Sequence, residues 1–140
     1  MPVAKNTKTK EHPNVKARIL PHNDEAEQAV LGCVLIDEDA PVTILNELKA
    51  DDFYINAHKE IFQAMVNLSL KDKPIDFVTL VQEIEEAGVM DTVGGLTYLT
   101  SLTTFVPSAD NYRHYMDIVK KTSLLRQLIS SSQRIMDCAY

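Results

Sequence analysis

From Ser108 to Tyr140 the chain contains neither glycine nor proline. Tyr115, Ile118, Thr122, Leu125, Ile129, Ser132 and Met136 recur there in alternating steps of three and four, the spacing of a heptad-like helical seam. Leu124, Leu128 and Ile135 widen that stripe, and Lys120, Gln127 and Arg134 form a polar line along another edge. Thirty helical residues measure about 45 Å at roughly 1.5 Å each. A globule of about 85 residues has a diameter of roughly 30 Å. Such a helix cannot lie wholly on its own domain. Leu124, Leu125, Leu128, Ile129, Ile135 and Met136 in its distal half would meet water unless another element covers them, and each burial is worth about 1.5 to 3 kcal/mol.

The remaining sequence supplies one ordinary core. With 140 residues, 45% of them hydrophobic, one domain is the default. The lack of Trp and only 4 Gly and 6 Pro argue against a turn-rich β-sandwich, and the expected class is all-α. Residues 1–18 are polar, basic and without hydrophobic period, so a disordered tail is expected. A helical globule of about five short helices follows over 19–107, and the long helix occupies 108–140, with its cap at Ser108. In PHNDEAEQAVLGCVLIDED, Asp24 and Glu27 have the spacing of a capping box, and the apolar run Ala29 to Ile36 reads as a buried, central helix. Asp37-Glu38-Asp39 then closes that helix and caps a second, with Pro41 in its first turn and Ile44, Leu45 and Leu48 buried. Asn56 reads as the cap of a third, with Ile61, Phe62, Met65 and Leu68 inward. Asp76 caps a fourth, ended by Gly88, with Phe77, Leu80, Val81 and Ile84 inward and Glu83, Glu85 and Glu86 wet. Gly94-Gly95 opens a fifth, with Leu96, Leu99 and Leu102 on one side.

Charge is divided along the chain. Residues 1–18 carry five basic side chains against Glu11, residues 24–91 carry sixteen acidic against four basic, and residues 92–140 carry five basic against three acidic. The acidic block would repel phosphate, so nucleic-acid contact is left to the two ends. Cys33 and Cys138 are the only thiols, they are far apart, and neither forms a Cys-x-x-Cys pair, which gives no zinc or disulfide framework. No apolar stretch has signal-peptide or membrane-spanning character, so the expectation is a cytosolic, cytoplasmic protein without membrane contact.

Candidate chemistry is sparse. His22 with Asp24, Glu25 and Cys33 matches no zinc spacing, and capping accounts for the carboxylates. His58 could be a general base, but no Ser or Cys nucleophile stands beside it, which favours packing or hydrogen bonding. His114, between Tyr112 and Tyr115, reads as a surface or interface residue. No Gly-x-x-x-x-Gly-Lys-Ser/Thr loop occurs, so Gly94-Gly95 reads as close backbone packing. No catalytic, cofactor or metal residue is assigned.

The segments PHNDEAEQAVLG, DDFYINAHKEIFQAM, KPIDFVTL, VGGLTYLTSL, VPSADNYRHYMDIV and LLRQLI, in this order and spacing, closely resemble the amino-terminal domain of the bacterial replicative DNA helicases of the DnaB family, from about Leu20 to Tyr140. The resemblance implies an all-α globule followed by a helical hairpin, whose first arm is the long helix. In that family a linker joins the hairpin to a RecA-like motor that uses ATP and Mg to unwind DNA 5′ to 3′. Copies pair through their hairpins into a trimer-of-dimers collar on the hexamer, which recruits primase and takes part in contacts with the helicase loader. DNA is held by the motor. The family pattern places the second arm, linker and motor beyond Tyr140, so no ATP hydrolysis is expected of these residues. By the same resemblance Tyr98, Ile129 and Ile135 fit primase-facing or subunit-facing positions, and with Ile118, Leu124, Leu125, Leu128 and Met136 they make up the expected partner or oligomer interface. Competing readings are a stand-alone helical adaptor, a small hydrolase using His22 or His58, and a nucleic-acid-binding module using the basic tail with Arg113, Lys120, Lys121, Arg126 and Arg134.

Overall fold

The computed structural model describes residues 18–105 and 111–140. The expected disordered tail, apart from Arg18, and the Ser108 cap lie outside the described residues. Among these the chain forms six α-helices and no strand, which is the all-α class read from composition. The helices are α1 (Asp24–Ile36), α2 (Ala40–Glu47), α3 (Asn56–Leu70), α4 (Phe77–Ala87), α5 (Gly95–Phe105) and α6 (Tyr112–Ala139), with a 3₁₀ turn at Ala50–Asp52 between α2 and α3.

Helix α1 is the axle. It packs against α2, α3, α5 and α6, and Ala29 through Val34 are all buried. A helix apolar on every side has no face to give to water, so its neighbours surround it. Around it, Ile44 and Leu48 of the α2 segment, Ile61, Phe62, Met65 and Leu68 of α3, Leu80 and Ile84 of α4, and Leu99 and Leu102 of α5 close one core. Phe53 and Phe62 meet there with ring centroids 4.9 Å apart, within the range of favourable aromatic pairs.

Helix ends follow local chemistry, with some corrections. Asp76 caps α4, its Oδ1 accepting the Thr79 amide at 2.9 Å while the Thr79 hydroxyl takes the Asp76 amide. Gly88 ends α4 with φ +73°, a left-handed conformation that side chains with a Cβ rarely adopt. The expected Asp24–Glu27 box at α1 does not form. Asn23 is the cap, its side chain accepting from the Ala26 amide at 2.9 Å. Asp24 instead bonds His22 at 2.7 Å. Of the Asp37-Glu38-Asp39 trio expected to cap α2, Asp37 does so, its Oδ1 accepting the amides of Asp39 and Ala40, while Asp39 makes no side-chain cap. Glu83, read as wet, is buried and paired with Lys71 at 2.8 Å. Leu96 is exposed rather than aligned with Leu99 and Leu102.

Candidate interaction surface

Helix α6 has 28 residues, about 42 Å of rod. Its buried residues are Met116, Val119 and Ser123, all in the first half, and they set the direction of the globule. Four polar ties flank them. Lys120 pairs with Glu47 at 2.8 Å, and Arg113 reaches the same carboxylate at 3.9 Å. Ser123 Oγ donates to Asp52 at 2.7 Å. Arg126 donates to the carbonyls of Pro21 at 2.9 Å and Asp52 at 2.6 Å, and its guanidinium lies 5.6 Å from the Tyr54 ring centroid. The Lys120 hydrogen bond holds the Glu47 carboxyl below its usual range and, reciprocally, Lys120 above its own. Three of the five basic residues that the nucleic-acid reading placed on this helix are therefore engaged by the globule, and Lys121 and Arg134 make no ion pair among the described residues.

Beyond Arg126 the helix runs on for about 20 Å. At about 100° per residue, Leu124, Leu128 and Ile135 lie within roughly 40° of the direction opposite Val119. They are 64%, 62% and 70% exposed. Leu125 and Met136 are also exposed, Ile129 is half-buried, and with Ile118 they lie on one flank, between the core face and the back. The stripe that looked like one widened band in sequence is thus two apolar faces, a flank seam and a back stripe. Ile118 itself is partly buried against the globule's core.

Tyr98 stands elsewhere, at the end of a polar chain that sequence patterning did not reveal. Glu27, completely buried, accepts the backbone N–H of Tyr54 at 2.7 Å and of Ile55 at 3.2 Å, the free donors ahead of α3. Its Oε1 also takes the Nδ1–H of His58 at 2.8 Å. With Nδ1 donating, Nε2 of His58 accepts the Tyr98 hydroxyl at 2.5 Å, and Gln28 Nε2 donates to the Tyr98 oxygen at 3.0 Å. Burial is the first cause holding the Tyr98 hydroxyl above its ordinary pKa, which keeps it a donor. Glu27 is thus a cap, but for α3 rather than α1. A caps-in-sequence reading assigns a carboxylate to its own helix; only the fold places it under another.

The network ties α1, α3 and α5 with every atom partnered, and no described buried polar side-chain atom is left unsatisfied. Both nitrogens of His58 are consumed and its side chain is 1% exposed. A general base needs a nitrogen that substrate can reach. His22 stacks on Tyr54 with centroids 4.2 Å apart, the planar packing of a structural imidazole. The described residues contain no group of three His, Cys, Asp or Glu able to hold a metal. Gly94 has φ +94°, and a Cβ there would stand 2.9 Å from Cβ of Tyr98. The double glycine therefore serves the close packing of this turn onto α5.

Residues 19–121 match the family of DnaB-like helicase N-terminal domains. The replicative DNA helicase DnaB of Haemophilus influenzae is 40% identical over 133 residues, covering 95% of this chain and 28% of that protein. The replicative DNA helicase DnaC of Bacillus subtilis is 38% identical over 123 residues, covering 88% and 27%. This chain therefore spans under a third of the length of those relatives. Among solved structures, the N-terminal domain of DnaB helicase from Mycobacterium tuberculosis superposes with a TM-score of 0.82 at 35% identity, covering 87% of this chain and 88% of that one. A DnaB-like replicative helicase whose interactions with primase were described gives 0.74 at 29% identity, covering 82% and 27%. No described helix is long and apolar enough to cross a membrane. With the helical globule, the long terminal helix and these matches in agreement, the chain belongs to the DnaB-like helicase N-terminal domain family.

Proposed function

We propose that this chain acts as the oligomerisation and partner-recruitment domain of a replicative DNA helicase, pairing with other copies through α6 and recruiting primase. The observation that carries the reading is the apolar surface on the outward side and free end of α6, set on two faces. A single rod with two uncovered apolar faces can be shielded on both only by two neighbours, or by one that wraps it. The flank seam through Leu125, Ile129 and Met136 suits a second helical arm. The back stripe through Leu124, Leu128 and Ile135 suits another subunit or primase. Ile118 and Tyr98 sit nearer the globule, where the Tyr98 ring rather than its committed hydroxyl would be offered to a partner.

Primase is supported as a partner by the similarity to the helicase described with it, and the helicase loader is a further candidate from the family resemblance. Unwinding of DNA, with ATP and Mg, is assigned to the part of the relatives that this chain does not span, and the setting is the cytoplasm. The domain itself contributes surfaces rather than bond-breaking groups. Sedimentation across a concentration series, alone and with the primase carboxy-terminal domain, tests the proposal. Concentration-dependent association or a primase complex is expected. A strict monomer at high concentration that also ignores primase would overturn it.

A further inference from the structure

At the end of the globule where α1 finishes lies a groove of about 630 Å³, formed by the end of α1, the start of α2 and the turn between α3 and α4. Its floor includes Ile36 and Val42, both exposed, beside Leu45 and Ile75. Asp37, Glu38, Asp72 and Asp76 stand around it with Lys73. None of these four carboxylates has an ion-pair partner among the described residues; the pairs that form involve Asp24, Glu27, Glu47 and Glu83. The capping bonds of Asp37 and Asp76 run through Oδ1, which leaves Oδ2 of each outside them. An apolar floor within an acidic rim calls for a segment that brings apolar side chains together with several cations.

The chain carries one such segment. Met1, Val3 and Ala4 are followed by Lys5, Lys8 and Lys10, while Lys71, Arg113, Lys120 and Arg126 are engaged elsewhere. We propose that the amino-terminal segment, residues 1–10, docks in this groove of its own chain, its apolar head on the floor and its lysines along the acidic rim. Reach permits it. Arg18 precedes α1, and the groove lies at the far end of that 13-residue helix, about 20 Å away along its axis. The eight residue steps from Lys10 to Arg18 span up to roughly 26 Å when extended. Tethering also raises the segment's effective concentration to the order of millimolar, so a weak contact is populated.

Paramagnetic relaxation in the full chain tests this. A nitroxide is placed on a cysteine introduced by Thr7→Cys in a Cys138→Ser background; Cys33 is buried and escapes labelling. The amide peaks of Glu38, Val42 and Asp72 are expected to lose about half their intensity or more, given such an effective concentration. Intensity should return with Lys5→Glu/Lys8→Glu/Lys10→Glu, and in about 0.5 M salt, where charges separated by more than a few ångströms are screened. Val42→Asp, an exposed substitution, should weaken the effect with the rest of the spectrum unchanged. Loss spread evenly over the surface, or indifferent to the lysine changes, would overturn the proposal. So would loss seen only between a spin-labelled copy and a separate isotope-labelled copy, which would make the occupant a neighbour's segment. None of these outcomes depends on primase or on α6.

Discussion

The two halves of α6 are built from similar residues and meet opposite fates. In the first, Met116 and Val119 are sealed in the core, and the polar side chains that face the globule find partners on it: Lys120 on Glu47, Arg126 on two carbonyls, Ser123 on Asp52. From Leu124 on, its outward side changes character: Leu124, Leu128 and Ile135 stand in water. The first half resembles the interior of the globule, where even a buried carboxylate has three donors. The second half has the composition of a core without one. Stability is therefore concentrated where the polar accounting closes, and association where apolar area remains open, so the two properties should separate under mutation.

The sharpest break should come at Glu27. Glu27→Ala strands two backbone amides and the His58 N–H in the interior, and at about 1 to 3 kcal/mol for each unsatisfied donor the loss is expected to be about 3 to 5 kcal/mol. At about 4 to 8 °C per kcal/mol for a domain of this order, calorimetry should show a fall large enough to leave much of the chain unfolded near 37 °C. A loss below 1 kcal/mol would mean that water replaces the carboxylate at little cost. Arg126→Ala comes next, about 1.5 to 3 kcal/mol for two charge-assisted bonds to carbonyls. Its thermal shift should be accompanied by faster hydrogen exchange in the α6 segment around Ser123.

Glu47→Gln should give a smaller effect with a recognisable pH signature. Its folded carboxyl lies below the usual range because of the Lys120 hydrogen bond. The linked stability is present above the ordinary carboxylate pKa, about 4.3, and is lost as pH falls through the lower folded value. The wild-type advantage should therefore exist at neutral pH, vanish once pH falls below the folded value and shrink with salt, because the pair is exposed. Least of all in melting temperature, and greatest in assembly, should be Leu124→Asp/Leu128→Asp. Thermal unfolding at low protein concentration should not move, whereas self-association or primase binding by sedimentation should weaken more than tenfold, the equivalent of about 1.4 kcal/mol. A fall in stability without loss of association would erase the contrast between the halves.

What could be read in the sequence follows the same division. Regular periodicity revealed α2 to α6, because a 3.6-residue repeat is a local property, an unbroken apolar run revealed α1, and Asp76 and Gly88 declared the ends of α4 through contacts a few residues away. The overhang of α6 was also legible, since length needs no knowledge of neighbours. Glu27 was not. Its partners Tyr54, Ile55 and His58 lie 27 to 31 residues on, and nothing in a capping pattern separates a carboxylate that bends back from one that reaches across the core. Glu83 failed similarly, because its wet reading ignored Lys71 twelve residues earlier. The separation of flank seam from back stripe required knowing which side of α6 the globule occupies, fixed by Met116, Val119 and Ser123 once folded.

Arg126 sits where the rod leaves the ball, fastened to the Pro21 and Asp52 carbonyls. It makes a fulcrum of that point. A tilt of about 10° there swings the far tip by roughly 3 Å over the remaining 20 Å of helix, more than half the width of a side chain, so a slight rocking at the anchor is magnified into a change of docking register at the tip.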